Sequence, residues 1–321
     1  IACGNGTDAL QVAMMALELH PGDEVITTPF TFISTIEVIK LLGMKPLLVD
    51  VEEDSFNLDP EHLQKAATKH TRAIVPVHLF GQCAHMERIM AFAGEAGVYV
   101  IEDNAQAIGA DYLYRDGSSR KAGTIGDVGT TSFFPSKNLG AYGDGGALFT
   151  NDDRLAEKLK ALVNHGMTQR YHYDDVGVNS RLDTLQAAIL RVKLKHLQEY
   201  HLARQKAARF YDEALSDLAD VKTPARSSCS THVFHQYTLQ VPAEIRNQLR
   251  QWLEQKNIPS MIYYPVPLHL QQAYSDLGYG PGDLPVSEEL STRVLSLPMH
   301  TELDTEQLSY ISDQIHAFFK L

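Results

Sequence analysis

The sequence predicts an α/β fold of two domains, in which a large domain with a mostly parallel sheet between helices precedes a smaller α+β domain. In the first half of the chain, short apolar runs alternate with helical patterns, which is typical of parallel strands covered by helices on both faces. This alternation stops after about residue 182, where a long amphipathic stretch begins. A length of 321 residues exceeds what one small core organises, so we assign 1–195 to the large domain and 196–321 to the small C-terminal domain.

The predicted elements of the large domain follow from these runs. Short segments rich in Val, Ile and Leu predict strands, which span 24–28, 46–50, 73–77, 98–103, 128–134 and 146–150. Segments with helical periodicity lie between or after them, at 8–19, 31–42, 60–68, 86–96 and 153–164.

The predicted elements of the small domain are fewer and mixed. The amphipathic stretch from Leu182 to about Leu215 predicts one long helix between the domains. A strand follows near 233–241. Further helices are predicted near 244–256, 287–295 and 304–319.

Composition and charge exclude several classes of protein. The formal charge is −12, whereas a nucleic-acid-binding protein usually carries a basic surface. No apolar run is long enough to predict a membrane span. Three scattered cysteines form no disulfide framework, which together with the absence of a visible signal peptide predicts a cytoplasmic location. The spacing of His78, Cys83 and His85 matches no common zinc motif, so no metal is expected.

The segment Gly4-Asn5-Gly6-Thr7-Asp8-Ala9-Leu10 directly precedes a predicted helix. Its glycines allow close approach of an anion, and the helix amino terminus supplies free N–H groups, so the segment predicts a phosphate-binding loop. The same letters fit the dinucleotide pattern G-x-G-x-x-A, which leaves an NAD-dependent oxidoreductase as an alternative. That pattern expects an acidic residue at the end of the next strand, where this sequence has Thr27-Thr28-Pro29.

Two more segments follow predicted strands and carry reactive side chains. Glu102-Asp103-Asn104-Ala105-Gln106 places a carboxylate at the end of an apolar strand, where it either receives a cationic partner or caps the next turn. Thr131 to Gly140 contains a single lysine, Lys137, between apolar and glycine-rich stretches. Partial burial would favour the unprotonated amine, which is the form that attacks an aldehyde.

These segments together resemble the sugar-nucleotide aminotransferases of the DegT/DnrJ/EryC1/StrS family, which have the aspartate-aminotransferase fold, fold type I. The resemblance covers nearly the whole chain, in the order typical of the family. The matching passages are Gly6 to Leu10, Pro21 to Val25, Phe30 to Phe32, Glu102 to Gln106, Ser132 to Lys137, Gly143 to Gly146 and Asn179 to Asp183.

The resemblance implies pyridoxal 5′-phosphate as cofactor, with pyridoxamine phosphate as its intermediate amino form. Lys137 would be the catalytic residue that carries it, and Asp103 would pair with its ring nitrogen. Phe32 would stack on the ring, and Gln106 would reach the ring's 3-hydroxyl oxygen. The residues implied for its phosphate are Gly6, Thr7, Asp8 and Ser132.

The resemblance also implies a homodimer with shared active sites. Asn179 would reach the cofactor phosphate of a second subunit, and Arg181 would lie near the substrate there. The implied reaction moves an amino group from L-glutamate to a nucleotide-linked keto sugar, for cell-surface polysaccharides such as O-antigen.

The sequence is most similar to the branch of the family that aminates UDP-linked 3-keto N-acetyl sugar uronic acids. That branch has histidine before the Tyr-Pro pair, whereas this chain has Tyr263 before Tyr264-Pro265. Tyrosine carries no positive charge near neutral pH, so a neutral UDP-linked 3-keto sugar is an alternative substrate. A 3- or 4-keto-6-deoxy sugar on UDP or dTDP is a further alternative.

Overall fold

The structure, a computed structural model, describes residues 1–320. The strands within that range are β1 Ala2–Cys3, β2 Glu24–Thr27, β3 Lys45–Leu48, β4 Thr71–Ile74, β5 Tyr99–Asp103, β6 Asp111–Leu113, β7 Ser119–Lys121, β8 Val128–Ser132, β9 Gly146–Phe149, β10 Met167–Gln169, β11 His172–Tyr173, β12 Tyr237–Gln240 and β13 Val294–Leu297. The α-helices there are α1 Gly6–Ala16, α2 Ser34–Leu41, α3 Leu63–Ala66, α4 Met86–Ala96, α5 Asp153–Leu162, α6 Thr184–Lys193, α7 Leu197–Ala214, α8 Ala243–Gln255, α9 Pro285–Arg293 and α10 Thr305–Phe319.

A central sheet organises the first half of the molecule. Its seven strands have the order β1-β9-β8-β5-β4-β2-β3. Strands β3, β2, β4, β5 and β8 pair in parallel, whereas β9 pairs antiparallel with both β8 and β1. The sheet is therefore mostly parallel, as predicted, with β9 as its reversed strand.

Helices cover both faces of this sheet and bury its side chains. One core cluster joins α1 and α5 to the strands, through residues such as Leu10, Met14 and Leu159. Another joins α4 to the opposite face, through Met86 and Ile89. Because both faces are covered, strands such as β2 are buried along their whole length, which explains their unbroken apolar runs.

The carboxyl ends of the parallel strands meet at one edge of the sheet. Asp103 ends β5 and Ser132 ends β8, while the loop after β1 leads directly into α1. The amino end of the reversed strand β9, at Gly146, lies at this edge too, because Gly146 pairs with both Cys3 and Ser132. All three segments with predicted chemistry therefore lie at one edge of the sheet.

Several predicted element boundaries differ from the observed ones. The helix predicted at 31–42 begins only at Ser34, so that Thr31 and Phe32 lie in the non-helical segment before it. The single helix predicted from Leu182 to Leu215 is broken by a 3₁₀ segment, Leu194–His196, between α6 and α7. The 3₁₀ turn keeps backbone hydrogen bonds while changing the helix path, which hydrophobic periodicity does not reveal.

The C-terminal half has its own apolar cluster. Helices α7, α8 and α10 pack on the antiparallel pair β12–β13, and their contacts include Tyr211, Leu249 and Ile315. Strand β13 was absent from the prediction because its four residues directly follow α9.

The division of the chain into two domains at residue 195 stays a prediction. None of the helices described within 1–320 is long and apolar enough to cross a bilayer.

Candidate active site

A cavity of about 410 Å³ opens at the carboxyl edge of the central sheet. Residues from distant parts of the sequence line it because several strands end there. The predicted site residues that it brings together are Gly6, Thr7, Phe32, Asp103, Gln106, Ser132, Lys137 and Tyr263.

The first turn of α1 forms one end of this cavity. The Asn5 side chain caps the helix by accepting a hydrogen bond of 2.8 Å from the Asp8 N–H, which leaves the N–H groups of Gly6 and Thr7 outside this cap. The Thr7 hydroxyl lies 2.9 Å from that of Ser34, which opens α2. Two helix amino termini with hydroxyl groups therefore converge on one spot, and such a spot favours a phosphate.

Gly6 is required by the close approach of α1 to β8. A Cβ atom at position 6 would lie 2.7 Å from the Ser132 Cβ atom. A side chain there would separate the helix terminus from the Ser132 hydroxyl, so the glycine keeps the two donor groups of the cradle together.

Asp103 faces the cavity, whereas Glu102 faces away from it. Successive strand residues point to opposite sides of a sheet, so the two carboxylates at the end of β5 are separated by the backbone. Asp103 is fixed by hydrogen bonds from the Thr35 hydroxyl, at 2.8 Å, and from the Ala105 N–H, at 3.1 Å. Its carboxylate is therefore held in place at the base of the cavity.

Glu102 is fully buried and fully hydrogen-bonded. Its oxygens accept from the N–H groups of Gly123, Ile125 and Gly126, and from Nε2 of His78 at 2.8 Å. Burial alone would raise the pKa of Glu102, but the His78 hydrogen bond and these N–H groups lower it below the ordinary value. Glu102 thus anchors the loop before β8 and takes no part in the cavity.

Lys137 is the amine that faces the cavity. It lies in the loop after β8, where the backbone N–H of Lys137 donates a hydrogen bond of 2.8 Å to the Phe134 carbonyl. Burial lowers the pKa of the Lys137 ammonium, while the carboxylate of Asp103 opposes that shift. A larger share of this amine is therefore unprotonated near neutral pH than for a surface lysine.

Gln106 is held between two groups at the side of the cavity. Its Oε1 accepts from the Phe80 N–H at 2.8 Å, and its Nε2 donates to the Tyr264 hydroxyl at 3.1 Å. Burial raises the pKa of Tyr264, so this hydroxyl stays protonated. Phe32 lines the cavity with a ring that is 56% exposed in this single chain, and it is therefore free to stack on a flat ligand.

Three predicted site residues lie outside the cavity of this chain. The Asp8 carboxylate accepts a hydrogen bond of 2.6 Å from the Ser180 hydroxyl, which itself accepts one of 2.9 Å from the Gly4 N–H. Ser180 is buried by these contacts, and its neighbours Asn179 and Arg181 are exposed. The segment is thus fixed beside the phosphate-binding loop, with Asn179 and Arg181 directed to solvent.

Several cavity residues were missed by the sequence analysis. Ser34, Asp144, Gln236 and Tyr264 all line the cavity, as does His235, whose ring nitrogen Nδ1 has no partner within residues 1–320. Burial holds the pKa of His235 well below its ordinary value, so the ring is neutral. His235 comes from the segment before β12, where polar and apolar residues are mixed, so no signal in the sequence singled it out.

These residues fit pyridoxal phosphate. The donors at the start of α1 and α2 match its phosphate, and the buried carboxylate of Asp103 matches its protonated ring nitrogen. Lys137 supplies an amine that is suited to capture its aldehyde. A cavity of about 410 Å³ accommodates a ring and a phosphate of this size.

An amine and a buried carboxylate facing each other across this edge of such a sheet are the arrangement of a pyridoxal-phosphate-dependent aminotransferase. The particular family follows from comparison with known families. The chain belongs to the DegT/DnrJ/EryC1/StrS aminotransferase family. The match to the sequence pattern of this family spans residues 1–316. Membership decides against the oxidoreductase alternative and confirms the predicted resemblance.

Curated relatives cover almost the whole chain. It is 48% identical over 324 residues to the Geobacillus stearothermophilus "Pleiotropic regulatory protein", covering 100% of this chain and 85% of the relative. It is 46% identical to the Pseudomonas aeruginosa UDP-2-acetamido-2-deoxy-3-oxo-D-glucuronate aminotransferase, covering 97% and 84%. It is also 46% identical to the Acidithiobacillus ferrooxidans UDP-N-acetyl-3-dehydro-α-D-glucosamine 3-aminotransferase, covering 98% and 83%.

Solved structures confirm the fold class. A DegT/DnrJ/EryC1/StrS aminotransferase from Brucella abortus superposes with a TM-score of 0.92 at 43% identity, covering 99% of this chain and 85% of that one. The Bacillus subtilis protein NtdA, solved with bound cofactor PMP, superposes with a TM-score of 0.91 at 31% identity, covering 100% and 73%. The fold is that of the pyridoxal-phosphate aminotransferases, as the sequence predicted.

Proposed function

We propose that the protein transfers an amino group from L-glutamate to the keto group of a UDP-linked 2-acetamido-3-keto sugar or its uronic acid. The observation that carries the proposal is the cavity in which Lys137 faces Asp103 beside a phosphate-binding loop. Two relatives that are 46% identical over nearly the whole chain are named for this class of substrate.

Each cavity residue has a role that follows from its contacts. When bound, pyridoxal phosphate supplies an electron sink at the carbon that carries the nitrogen. The hydroxyls of Thr7, Ser34 and Ser132 would hold the phosphate, with the Gly6 N–H, and Asp103 would keep the ring nitrogen protonated. Lys137 Nζ would move a proton between the substrate carbon and the C4′ carbon of the cofactor, because it is an amine of lowered pKa that faces the cavity.

The complete site includes a second copy of the chain. Asn179 and Arg181 are exposed, and they flank the buried Ser180, which is tied to the phosphate-binding loop. Exposed apolar side chains lie near them in the sequence, including Tyr173, Val176 and Leu185. We propose a homodimer in which these surfaces meet, and in which each copy contributes Asn179 to the other's phosphate site and Arg181 to its substrate site.

The charge of the cavity bears on the substrate. The cavity carries the carboxylates of Asp103 and Asp144, and apart from Lys137 its described lining contains no lysine or arginine. His235 is neutral, and the Tyr263 side chain has no cationic form to offer a carboxylate. A uronic acid would therefore depend on Arg181 from the second copy, whose planar guanidinium suits a carboxylate. A neutral 3-keto sugar needs no such partner.

A panel of substrates tests this function. The purified enzyme with pyridoxal phosphate and L-glutamate would be offered four keto sugars: neutral UDP-2-acetamido-3-keto sugar, its uronic acid, and the 3- and 4-keto-6-deoxy sugars on dTDP. We expect amination of one of the first two to exceed that of the deoxy sugars by about a hundredfold or more in kcat/KM. Equal or greater activity on a deoxy sugar would overturn the proposed substrate class.

Matched variants then separate the neutral substrate from the uronic acid. Arg181→Gln should lower kcat/KM for the uronic acid by about tenfold or more and leave the neutral sugar within about threefold. Tyr263→His introduces the residue found in the uronic-acid branch. It should raise kcat/KM for the uronic acid relative to that for the neutral sugar, whereas Arg181→Gln lowers it. An equal fall in kcat/KM for both substrates in Arg181→Gln would contradict a role in carboxylate recognition.

Cytoplasmic location and a role in cell-surface polysaccharide synthesis, such as that of O-antigen, complete the proposal. A strain without the gene should lack an amino sugar in its surface glycan. The "Pleiotropic regulatory protein" name of one relative favours a regulator as a second candidate. A regulator would bind the cofactor without any turnover on the panel.

A further inference from the structure

A second group of reactive side chains lies outside the active-site cavity. Cys229 Sγ is 3.4 Å from Nδ1 of His85 and 3.0 Å from the Ser227 hydroxyl. On the other side of the imidazole, His85 Nε2 lies 3.5 Å from the Glu52 carboxylate. We call these four residues the Cys229 cluster, and none of them lines the cavity.

The contacts of the cluster form a series from thiol to imidazole to carboxylate. A histidine beside a thiol accepts its proton, and a carboxylate behind the histidine orients the ring and stabilises its positive charge. The series is accessible to small reagents, because Cys229 is only partly buried and the side chains of His85 and Glu52 are 34% and 26% exposed.

The charges around the cluster agree with this geometry. Burial alone would raise the pKa of Cys229, but hydrogen bonds from His85 and Ser227 lower it below the ordinary value of a thiol. The same hydrogen bond raises the pKa of His85, as expected when the pair shares one proton as thiolate and imidazolium. The other titratable groups near the pair are Tyr112, the buried Cys83 thiol, the Glu52 carboxylate and the Arg88 cation, which opposes protonation of His85.

The other two cysteines provide a contrast within the same chain. Cys3 and Cys83 are buried, with exposures of 0% and 2%. Burial raises the pKa of each of these thiols to about 12. Neither is therefore ionised or accessible near neutral pH, so the chain carries its own unreactive controls.

We propose that Cys229 is a modification site, a thiol activated by His85 and Glu52 that forms a mixed disulfide with small aliphatic disulfides. The thiolate attacks one sulfur of the reagent, so that a new S–S bond forms as the old one breaks. The leaving thiolate takes the proton held by His85 Nδ1. One disulfide is consumed and one is formed, so no further oxidant is needed, and added thiol reverses the exchange.

The test is disulfide exchange on the holoenzyme with bis(2-hydroxyethyl) disulfide, between about pH 6 and pH 9. The adduct would be located by mass spectrometry of the intact chain and of its peptides. We expect one adduct, on Cys229, and a rate whose apparent pKa lies below the value of about 8.5 for a free thiol. Cys229→Ser should abolish the adduct without affecting transamination.

Two variants address the activating residues. His85→Gln keeps the size of the side chain but cannot hold the proton, so its rate profile should move up towards about pH 8.5. Glu52→Gln should move the profile in the same direction by less, and it serves alone if the first variant does not fold. Modification of Cys3 or Cys83 before Cys229, or a profile unchanged in the variants, would overturn the proposal.

Discussion

The two sides of the central sheet at the end of β5 differ in how their polar groups are satisfied. On one side, each oxygen of Glu102 accepts two hydrogen bonds, and no solvent reaches the group. On the other side, Asp103 and Lys137 face a cavity of about 410 Å³, and His235 Nδ1 has no partner within 1–320. Consecutive residues of one strand thus hold a carboxylate that is bonded inside the protein and a carboxylate that faces the cavity.

The difference shows that neither the number of hydrogen bonds to a carboxylate nor its burial identifies the carboxylate that can bind a ligand. Glu102 is the more buried and the more strongly bonded of the two, yet its bonding capacity is used up inside the protein. Asp103 keeps part of its surface towards the cavity, where a cationic ring nitrogen can reach it. Substitutions on the two sides should therefore separate activity from stability.

Asp103→Asn should produce the largest loss of activity. An amide cannot hold the protonated ring nitrogen, so we expect kcat/KM for transamination to fall about a thousandfold, or roughly 4 kcal/mol of transition-state stabilisation. The free energy of unfolding should stay within about 1 kcal/mol, because the Thr35 and Ala105 contacts have acceptable counterparts in Asn. Steady-state kinetics and denaturant unfolding check the two expectations. A variant with near-normal activity would show that Asp103 does not face the cofactor.

Glu102→Gln should produce the largest loss of stability. The new amide nitrogen would face either the donors Gly123 N–H and His78 Nε2–H or the donors Ile125 N–H and Gly126 N–H. We expect the free energy of unfolding to fall by about 3 kcal/mol, with activity per folded molecule within a few-fold of normal. Urea unfolding measures the first quantity, and kinetics well below the unfolding midpoint measures the second.

The same substitution changes how stability depends on pH. The folded pKa of Glu102 is lowered, so its contribution is fully present above the unfolded value of about 4.3 and is lost as pH falls through the folded pKa. The wild type should therefore lose more stability than Glu102→Gln between neutral pH and about pH 3. Parallel pH curves for the two proteins would show that this carboxylate is not charged in the fold.

Gly6→Ala should have a smaller effect, on the cavity side. The added methyl group meets the Ser132 Cβ atom at 2.7 Å, so α1 must shift away from β8. We expect cofactor affinity to weaken by about tenfold. The free energy of unfolding of the apoprotein should fall by about 1 kcal/mol. Gly94→Ala, in an open helical position with no atom near its Cβ, is the matched control. Equal cofactor affinity in both variants would contradict the proposed phosphate cradle.

The sequence predicted the fold and most of the cavity for a physical reason. Parallel strands buried on both faces leave unbroken apolar runs, and their carboxyl ends must meet at one edge, so Asp103, Ser132 and Lys137 could be placed together in advance. The resemblance to known aminotransferases added Phe32 and Gln106, which the structure places in the cavity lining, and their roles towards the cofactor stay predictions. The roles of Asn179 and Arg181 stay predictions, because they concern a second copy of the chain.

Other features left no pattern in the sequence. Tyr264 and His235 reach the cavity from segments more than 90 residues beyond Lys137, and no periodicity relates such distant positions. The pairing of Cys229 with His85 bridges 144 residues and depends on how irregular segments pack. The break between α6 and α7 is equally silent, because both helices keep one amphipathic pattern across it.

The most direct measurement of the central claim is the state of Lys137 in the protein reconstituted with pyridoxal phosphate. Mass spectrometry after borohydride reduction should find the cofactor joined to Lys137 in the wild type, and Lys137→Ala should lose transamination by about a thousandfold or more while keeping its fold. Cofactor joined to another lysine, or full turnover by Lys137→Ala, would contradict the account.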